Sequence, residues 1–467
     1  MNWVGYRVFS YLLIFCMAIA IGSLGACSNS VLDAEVDEQT DAVPIRADES
    51  SSPKTTISKS SSSSSKEKSS SSKEGYLSSF KPDDKEYPYA GIPRIVIETE
   101  YRQAIKDRET EIPAKLQIWG EKESESEIMN LMIRGRGNSS WDVMPKKSYK
   151  IEFENKQSML GMPKDKDWTL IANYADKTLM RNYLAYRLSA ALDVFYAPRS
   201  DYAELYVNGN YLGVYLVTET IKKDKDRVNI PKDDDSYIVE FDQKYKADEQ
   251  VVFSDIISKN GKGKPFRIHD PKNASESVLD AVKTHIEDFE TFLLSIKAQE
   301  DNGVDDWIDV DESVKHYWVQ ELLKNPDSGF YTSVYFSWIV GEKIKMGPVW
   351  DFDLAMGNST SESVNTIDNL VVRTCYWNKF LFKDSLYSQR TSDFWNQKYE
   401  FFLSLLDSID VYKGKLALPA QNNFKKWNIL ENTSDPWHPK TFKTYDEAVE
   451  WIKDWLMRRI EWIDQNK

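Results

Sequence analysis

Residues 316–358, HYWVQELLKNPDSGFYTSVYFSWIVGEKIKMGPVWDFDLAMGN, admit few backbone arrangements. HYWVQELL reads as a helix end. Pro326 blocks its continuation, because proline lacks an N–H and its ring clashes with the preceding turn. Asp327, Ser328 and Gly329 are loop formers. SVYFSWIV and KIKM flank a Gly-Glu turn and predict a hairpin. Trp350-Asp351-Phe352-Asp353 follows at once. In an extended segment, alternate side chains share a face. Asp351 and Asp353 then point one way and Phe352 points back into the core. With Asp327 on the nearby loop, these carboxylates offer a seat for Mg²⁺, which takes oxygen ligands and keeps several waters. The same pattern fits a buried strand end whose aspartates cap a turn. The pair alone does not decide between the two.

Upstream, IPRIVIETE, AKLQIWG and EIMNLMIRGRGNSSW read as strands with turns, and KKSYKIEFE as another, with Tyr149, Ile151 and Phe153 alternating against Lys150 and Glu152. The turn Arg134-Gly135-Arg136-Gly137-Asn138-Ser139-Ser140 has backbone N–H groups and guanidinium suited to an anion, though an ordinary glycine-rich turn reads the same way. DWTLIANYADKTLMRNYLAYRLSAAL passes from strand to helix, with Asp176 placed to cap it. Arg181 and Asn182 sit in the first half of that helix, where a solvated polar face is the plain reading. DYAELYVNGNYLGVYLVTETI is a hairpin turning on Asn208-Gly209. Helices dominate from about Ser275, and two amphipathic helices, SDFWNQKYEFFLSLLDSI and TYDEAVEWIKDWLMRRIEWIDQ, end the chain.

The other end is different. Residues 1–27 carry Arg7, then the apolar run VFSYLLIFCMAIAIGSLGA, then Leu24-Gly25-Ala26-Cys27. The run suits a secretory leader. The small residues before Cys27 resemble a bacterial lipobox, which implies lipidation of Cys27, a membrane anchor and a body outside the cytoplasm; a single-span anchor is the rival. Residues 28–86 are acidic, then serine- and lysine-rich, with too few apolar residues to offset the entropy of ordering, and are expected to form a disordered linker. The formal net charge of −14 excludes general nucleic-acid binding. Three cysteines and four histidines, none at zinc-ligand spacing, give neither a disulfide framework nor a structural zinc.

RGRGNSSW…KKSYKIEF, WTLIANYADKTLMRNYLAYRL, ELYVNGNYLGVYLVTETI and MGPVWDFDLAMGN occur in the order of the CotH family, which the chain resembles over roughly residues 92–360. The resemblance implies an α+β, atypical protein-kinase-like fold in residues 87–467: a β-rich N-lobe, about 87–220, and a helical C-lobe, about 221–467, with ATP between them. It implies phosphoryl transfer to Ser or Thr hydroxyls of a protein substrate, with Mg²⁺ or Mn²⁺. Asp351 resembles the metal-binding aspartate that in ordinary kinases precedes Phe-Gly. Asp353 stands where those enzymes have glycine, and Asp327 resembles the catalytic-loop aspartate. Lys150 resembles the phosphate-pairing lysine, with Lys146 and Lys147 as competitors, and Arg136 would share that task. Val217, Thr218 and Glu219 resemble the adenine-reading hinge. Arg181 and Asn182 match a family motif and are grouped with the cofactor-binding residues. The chain departs from ordinary kinases in having Lys324-Asn325-Pro326 before Asp327 and no GxGxxG loop. A catalytically silent surface-binding module on the same fold is the alternative.

Overall fold

The computed structural model describes residues 81–258, 261–432 and 440–467. The leader, Cys27 and nearly all of the serine-rich linker lie outside these residues. The described chain is a mixed α+β structure in which strands come first and helices last.

Seven strands form a closed barrel: β1 (Arg94–Thr99), β2 (Ile112–Trp119), β3 (Met129–Arg136), β4 (Ser148–Gln157), β5 (Asp165–Ile171), β6 (Ser200–Val207) and β7 (Asn210–Glu219), in the order β1-β2-β3-β4-β5-β7-β6. Parallel pairing of β1 with β6 closes it. Alternation drives the closure. Tyr149, Ile151 and Phe153 of β4 point inward with Ile97, Leu116, Ile133 and Trp168, and the residues between them face out. The β6–β7 hairpin turns where expected. Asn208 and Gly209 both have positive φ, 52° and 79°, which this tight turn requires.

A second, antiparallel sheet holds β8 (Ser236–Phe241), β9 (Val251–Ser254), β10 (Lys264–Asp270), β11 (Val334–Ile339) and β12 (Lys345–Met346), ordered β12-β11-β8-β10-β9. The part that the resemblance assigns to a helical C-lobe thus opens with a sheet: SYIVEFDQKY and the PFRIHDP segment form β8 and β10, as their own sequence predicts, and the predicted β11–β12 hairpin is one edge.

The helices are α1 (Ser139–Val143), α2 (Arg181–Ala191), α3 (Glu276–Ser295), α4 (Val310–Leu322), α5 (Glu362–Asn365), α6 (Tyr376–Leu381), α7 (Ser385–Lys426) and α8 (Tyr445–Asn466). Side chains of Ser275, Asp309, Asp384 and Thr444 accept first-turn N–H groups and set four of the starts. The long α7 passes through Gly414 and Pro419, two residues that sequence reasoning treats as breakers. Among the described residues no helix is long and apolar enough to cross a membrane.

The end of α7 locks onto the barrel. Asn423 Oδ1 accepts from Val214 N at 3.1 Å and from Lys146 Nζ at 2.9 Å. Gly213, at φ +95°, leaves the room: a Cβ there would lie 2.5 Å from Asn423 Oδ1.

Candidate active site

A cleft of about 1120 Å³ opens between the outer face of the barrel and the second sheet. The glycine-rich turn after β3, the exit of β5 and the loop after α4 line it, with Asp327, Asp351 and Asp353 on its wall.

The acidic turn is built from behind. α4 ends at Leu322, and Asn325 then donates to Gln320 Oε1 at 3.1 Å and to Asp351 O at 3.3 Å. Phe352 is fully buried, and its N–H donates to Asn182 Oδ1 at 2.7 Å. Arg181 Nε and Nη2 donate to Ala355 O and Met356 O, at 2.9 and 3.2 Å. Arg181 also pairs with buried Asp176, whose Oδ2 accepts the first N–H of α2 at 2.8 Å. The turn is not extended, contrary to the period-two reading. Asp351 has φ +63°, a left-handed conformation rare outside glycine. Phe352 still points inward, but the tertiary bonds hold it there and not strand alternation.

Charge crowds here. Burial raises all three carboxyls, and their mutual repulsion adds to the rise at Asp327, which reaches about 8, and at Asp353. For Asp351, Arg136 and Lys244 pull against burial. The Arg136 guanidinium sits 5.0 Å from the Trp350 ring centroid, over its face. Lys244 reaches Ser139 Oγ at 3.3 Å, across the cleft mouth.

The donor set is hard oxygen with unbalanced negative charge, which suits Mg²⁺ or Mn²⁺. No three His, Cys, Asp or Glu side chains converge tightly enough to cage an ion among the described residues. Mg²⁺ needs only one or two carboxylates, with water and phosphate completing the shell, so the residues present fit it.

Other expected positions fall elsewhere. Lys150 shares the barrel's outer face with Ser148, which lines the cleft, but lies further along β4. Its ammonium turns to Asp167 at 2.9 Å and Glu152 at 3.5 Å. Lys146 lines the cleft instead. It is almost fully buried, donates to Val214 O at 2.5 Å, and burial pushes its ammonium well below the ordinary value. Lys147 bonds Trp141 O.

Val217, Thr218 and Glu219 do not line the cleft. β7 is paired on both sides there, with β5 (Thr169↔Thr218) and β6 (Ser200↔Thr218), so its backbone has no free edge for adenine. The Glu219 carboxylate is committed to Arg227 at 2.6 Å and Arg199 at 2.8 Å. Arg181 and Asn182 are buried behind the acidic turn and do not line the cleft themselves. Sequence reasoning missed Lys244 and Arg267. Nothing in DQKYKAD or PFRIHDP separates either from a solvated cation. Arg267 is itself held by Glu240 and by Glu249 at 2.7 Å.

No match to a curated protein was found. The family model for CotH kinase protein matches residues 133–463, a span running from β3, through the acidic turn, into α8. This chain belongs to the CotH kinase family.

Proposed function

We propose that this protein transfers the γ-phosphoryl group of ATP to a Ser or Thr hydroxyl of a protein outside the cytoplasm, on a two-lobed kinase-like scaffold with the barrel as the smaller lobe. The observation that carries the reading is the crowding of Asp327, Asp351 and Asp353 in one cleft beside Arg136. Such crowding costs stability and is expected where a cation and phosphates bind. A lipid anchor on Cys27 would hold the enzyme at the membrane.

In this reading Asp351 and Asp353 hold the divalent cation, which when bound neutralises charge on the phosphates. Arg136 adds a fixed positive charge on the barrel side. Asp327 orients the acceptor hydroxyl. The hydroxyl oxygen bonds to the γ-phosphorus, the bridging bond to the β-phosphate breaks, ADP leaves, and the hydroxyl proton passes to Asp327, whose ionised form a bound cation would favour by offsetting the Asp351 charge that raises it. Catalysis of this kind is mainly positioning and electrostatics.

The occupied edges of β7 favour a second reading, a surface-binding module without nucleotide chemistry. Calorimetric titration of ATP into the full-length chain in detergent, with and without Mg²⁺ and alongside Asp351→Ala, separates them. Mg²⁺-dependent binding lost in the variant supports the enzyme. Absence of binding by folded protein favours the module.

A further inference from the structure

Residues 81–93 contain no strand or helix, yet they are held along their length. Tyr87 is buried and stacks on Tyr211 of β7, with ring centroids 4.0 Å apart. Val96, Trp119 and Tyr206 complete that cluster. Arg94, also buried, pairs with Asp84 and donates to Glu121 O at 2.8 Å. Pro93 O accepts from Glu204 N at 2.9 Å. An irregular segment has few backbone bonds of its own, so side-chain contacts decide whether it stays in place.

Two of the holding contacts come from the last turn of α7. Asn422 Nδ2 donates to Pro88 O at 2.8 Å, and Lys425 Nζ to Glu86 O at 2.6 Å. Asn422 Nδ2 also donates to Glu204 Oε1 at 2.8 Å, and the same oxygen accepts from the Tyr211 hydroxyl at 2.7 Å. This turn has a second set of contacts, and these lead to the cleft. Asn423 accepts from Lys146 and Val214. Trp427, at the helix end, stands edge-on to Tyr174, with ring centroids 5.9 Å apart. Lys146 and Tyr174 both line the cleft. Successive residues on a helix point about 100° apart, so Asn422 and Asn423 reach different partners while moving as one.

We propose that residues 81–93 are a positioning element for the cleft: they clamp the last turn of α7 on β7, and that turn fixes the Lys146 ammonium in the cleft wall. The family match starts at residue 133, so this support lies outside the matched span. It is also where the serine-rich linker meets the body. The consequence for nucleotide rests on the phosphoryl-transfer reading. With the clamp closed, Lys146 presents a fixed cation that needs no reorganisation when a phosphate arrives. With the clamp released, Asn423 loses its register, the ammonium leaves the wall, and nucleotide binding weakens by the free energy that couples the two places.

The test uses the full-length chain in detergent and the variant Tyr87→Ser; Tyr87 itself does not line the cleft. Mg²⁺-ATP affinity by calorimetry should weaken by at least about fivefold, the low end of ordinary coupling between two sites. Tyr87→Phe keeps the ring and should bind as the parent does. In a Lys146→Met background Tyr87→Ser should have no further effect, because a clamp that acts through Lys146 has nothing left to position. Amide exchange at Val214 should quicken in Tyr87→Ser with or without nucleotide. Lys425→Met, which loses the bond to Glu86 O and keeps an unbranched stem, takes the place of Tyr87→Ser should that variant fail to fold. Where the parent binds ATP, unchanged affinity in Tyr87→Ser overturns the inference, and so does an equal loss in the Lys146→Met background, which marks general loosening. Where the parent binds no ATP, faster exchange at Val214 in Tyr87→Ser but not in Tyr87→Phe upholds the clamp and overturns the kinase reading. Unchanged exchange at Val214 overturns the clamp in either case.

Discussion

Asn182, in the first turn of α2, holds the backbone N–H of Phe352 at 2.7 Å, and Phe352 is the residue between the two aspartates. Its amide nitrogen in turn reaches Asn173 Oδ1, on the barrel side of the cleft, at 3.2 Å. One buried side chain thus ties the barrel side of the cleft to the acidic turn.

Asn182→Leu removes the acceptor and leaves the Phe352 N–H buried without a partner, a loss of about 1–3 kcal/mol. Phosphoryl transfer should fall by about tenfold or more, since Asp351 and Asp353 lose their register. Asn182→Asp keeps an acceptor oxygen and should bind nucleotide better than the leucine variant. Urea unfolding and kcat measured together check this.

Asp353→Asn removes one of three mutually repelling carboxylates. It should raise the thermal midpoint by about 1 °C, the shift expected for roughly 1 kcal/mol in a chain of this size. Mg²⁺-ATP should stabilise the parent protein but not the variant. Differential scanning calorimetry with and without nucleotide reads both effects.

Lys150→Ala should leave ATP affinity unchanged, because its ammonium is held by Asp167 away from the cleft. Lys146→Met should weaken nucleotide binding and also loosen α7 from β7, visible as faster amide exchange at Val214. Equal losses in the two variants would contradict the placement.

Arg459 and Glu321 form a fully buried pair at 2.8 Å. Arg459→Met strands the Glu321 charge and frees the backbone of residues 367–369, costing about 3–5 kcal/mol in chemical denaturation. The double variant with Glu321→Gln should recover part of that loss.

His316 is buried on α4, and burial pushes its imidazole down to about 4 from an ordinary 6.5. Its neutral form belongs to the folded state, while the unfolded chain takes up a proton below pH 6.5. Its contribution is complete above that pH and is lost as pH falls towards 4. Between pH 7 and 4.5 the parent protein should lose about 2–3 kcal/mol more than His316→Gln in urea titrations.

Local chemistry was readable in the sequence. The Asn208-Gly209 hairpin, the β11–β12 hairpin and the stop at Pro326 depend on neighbouring residues alone. What depends on distant partners was not readable. The turn at Asp351 follows from Asn182, Asn325 and Arg181, which fix a backbone angle that strand alternation does not anticipate. Lys150 lay on the right face of β4, but the cation that reaches the cleft comes from the irregular segment before the strand, where no periodicity marks it. Val217–Glu219 resembled a hinge because the pairing that buries both edges of β7 involves β5, some fifty residues earlier. The passage of α7 through Pro419 reflects packing against β7 and α8 that offsets a local penalty of about 3 kcal/mol.

The lock between Asn423 and the barrel has a consequence for how the protein is made. Val214 precedes its partner by 209 positions, so the strand that carries it emerges from the ribosome long before the amide that satisfies it. Until α7 arrives, the Val214 N–H and the Lys146 ammonium lack the Asn423 oxygen that they share in the folded protein. Contacts this far apart in sequence slow folding. A chain cut before Asn423 should therefore keep every barrel strand and still fail to behave as a stable piece, so the barrel is a separate shape without being a separate folding unit.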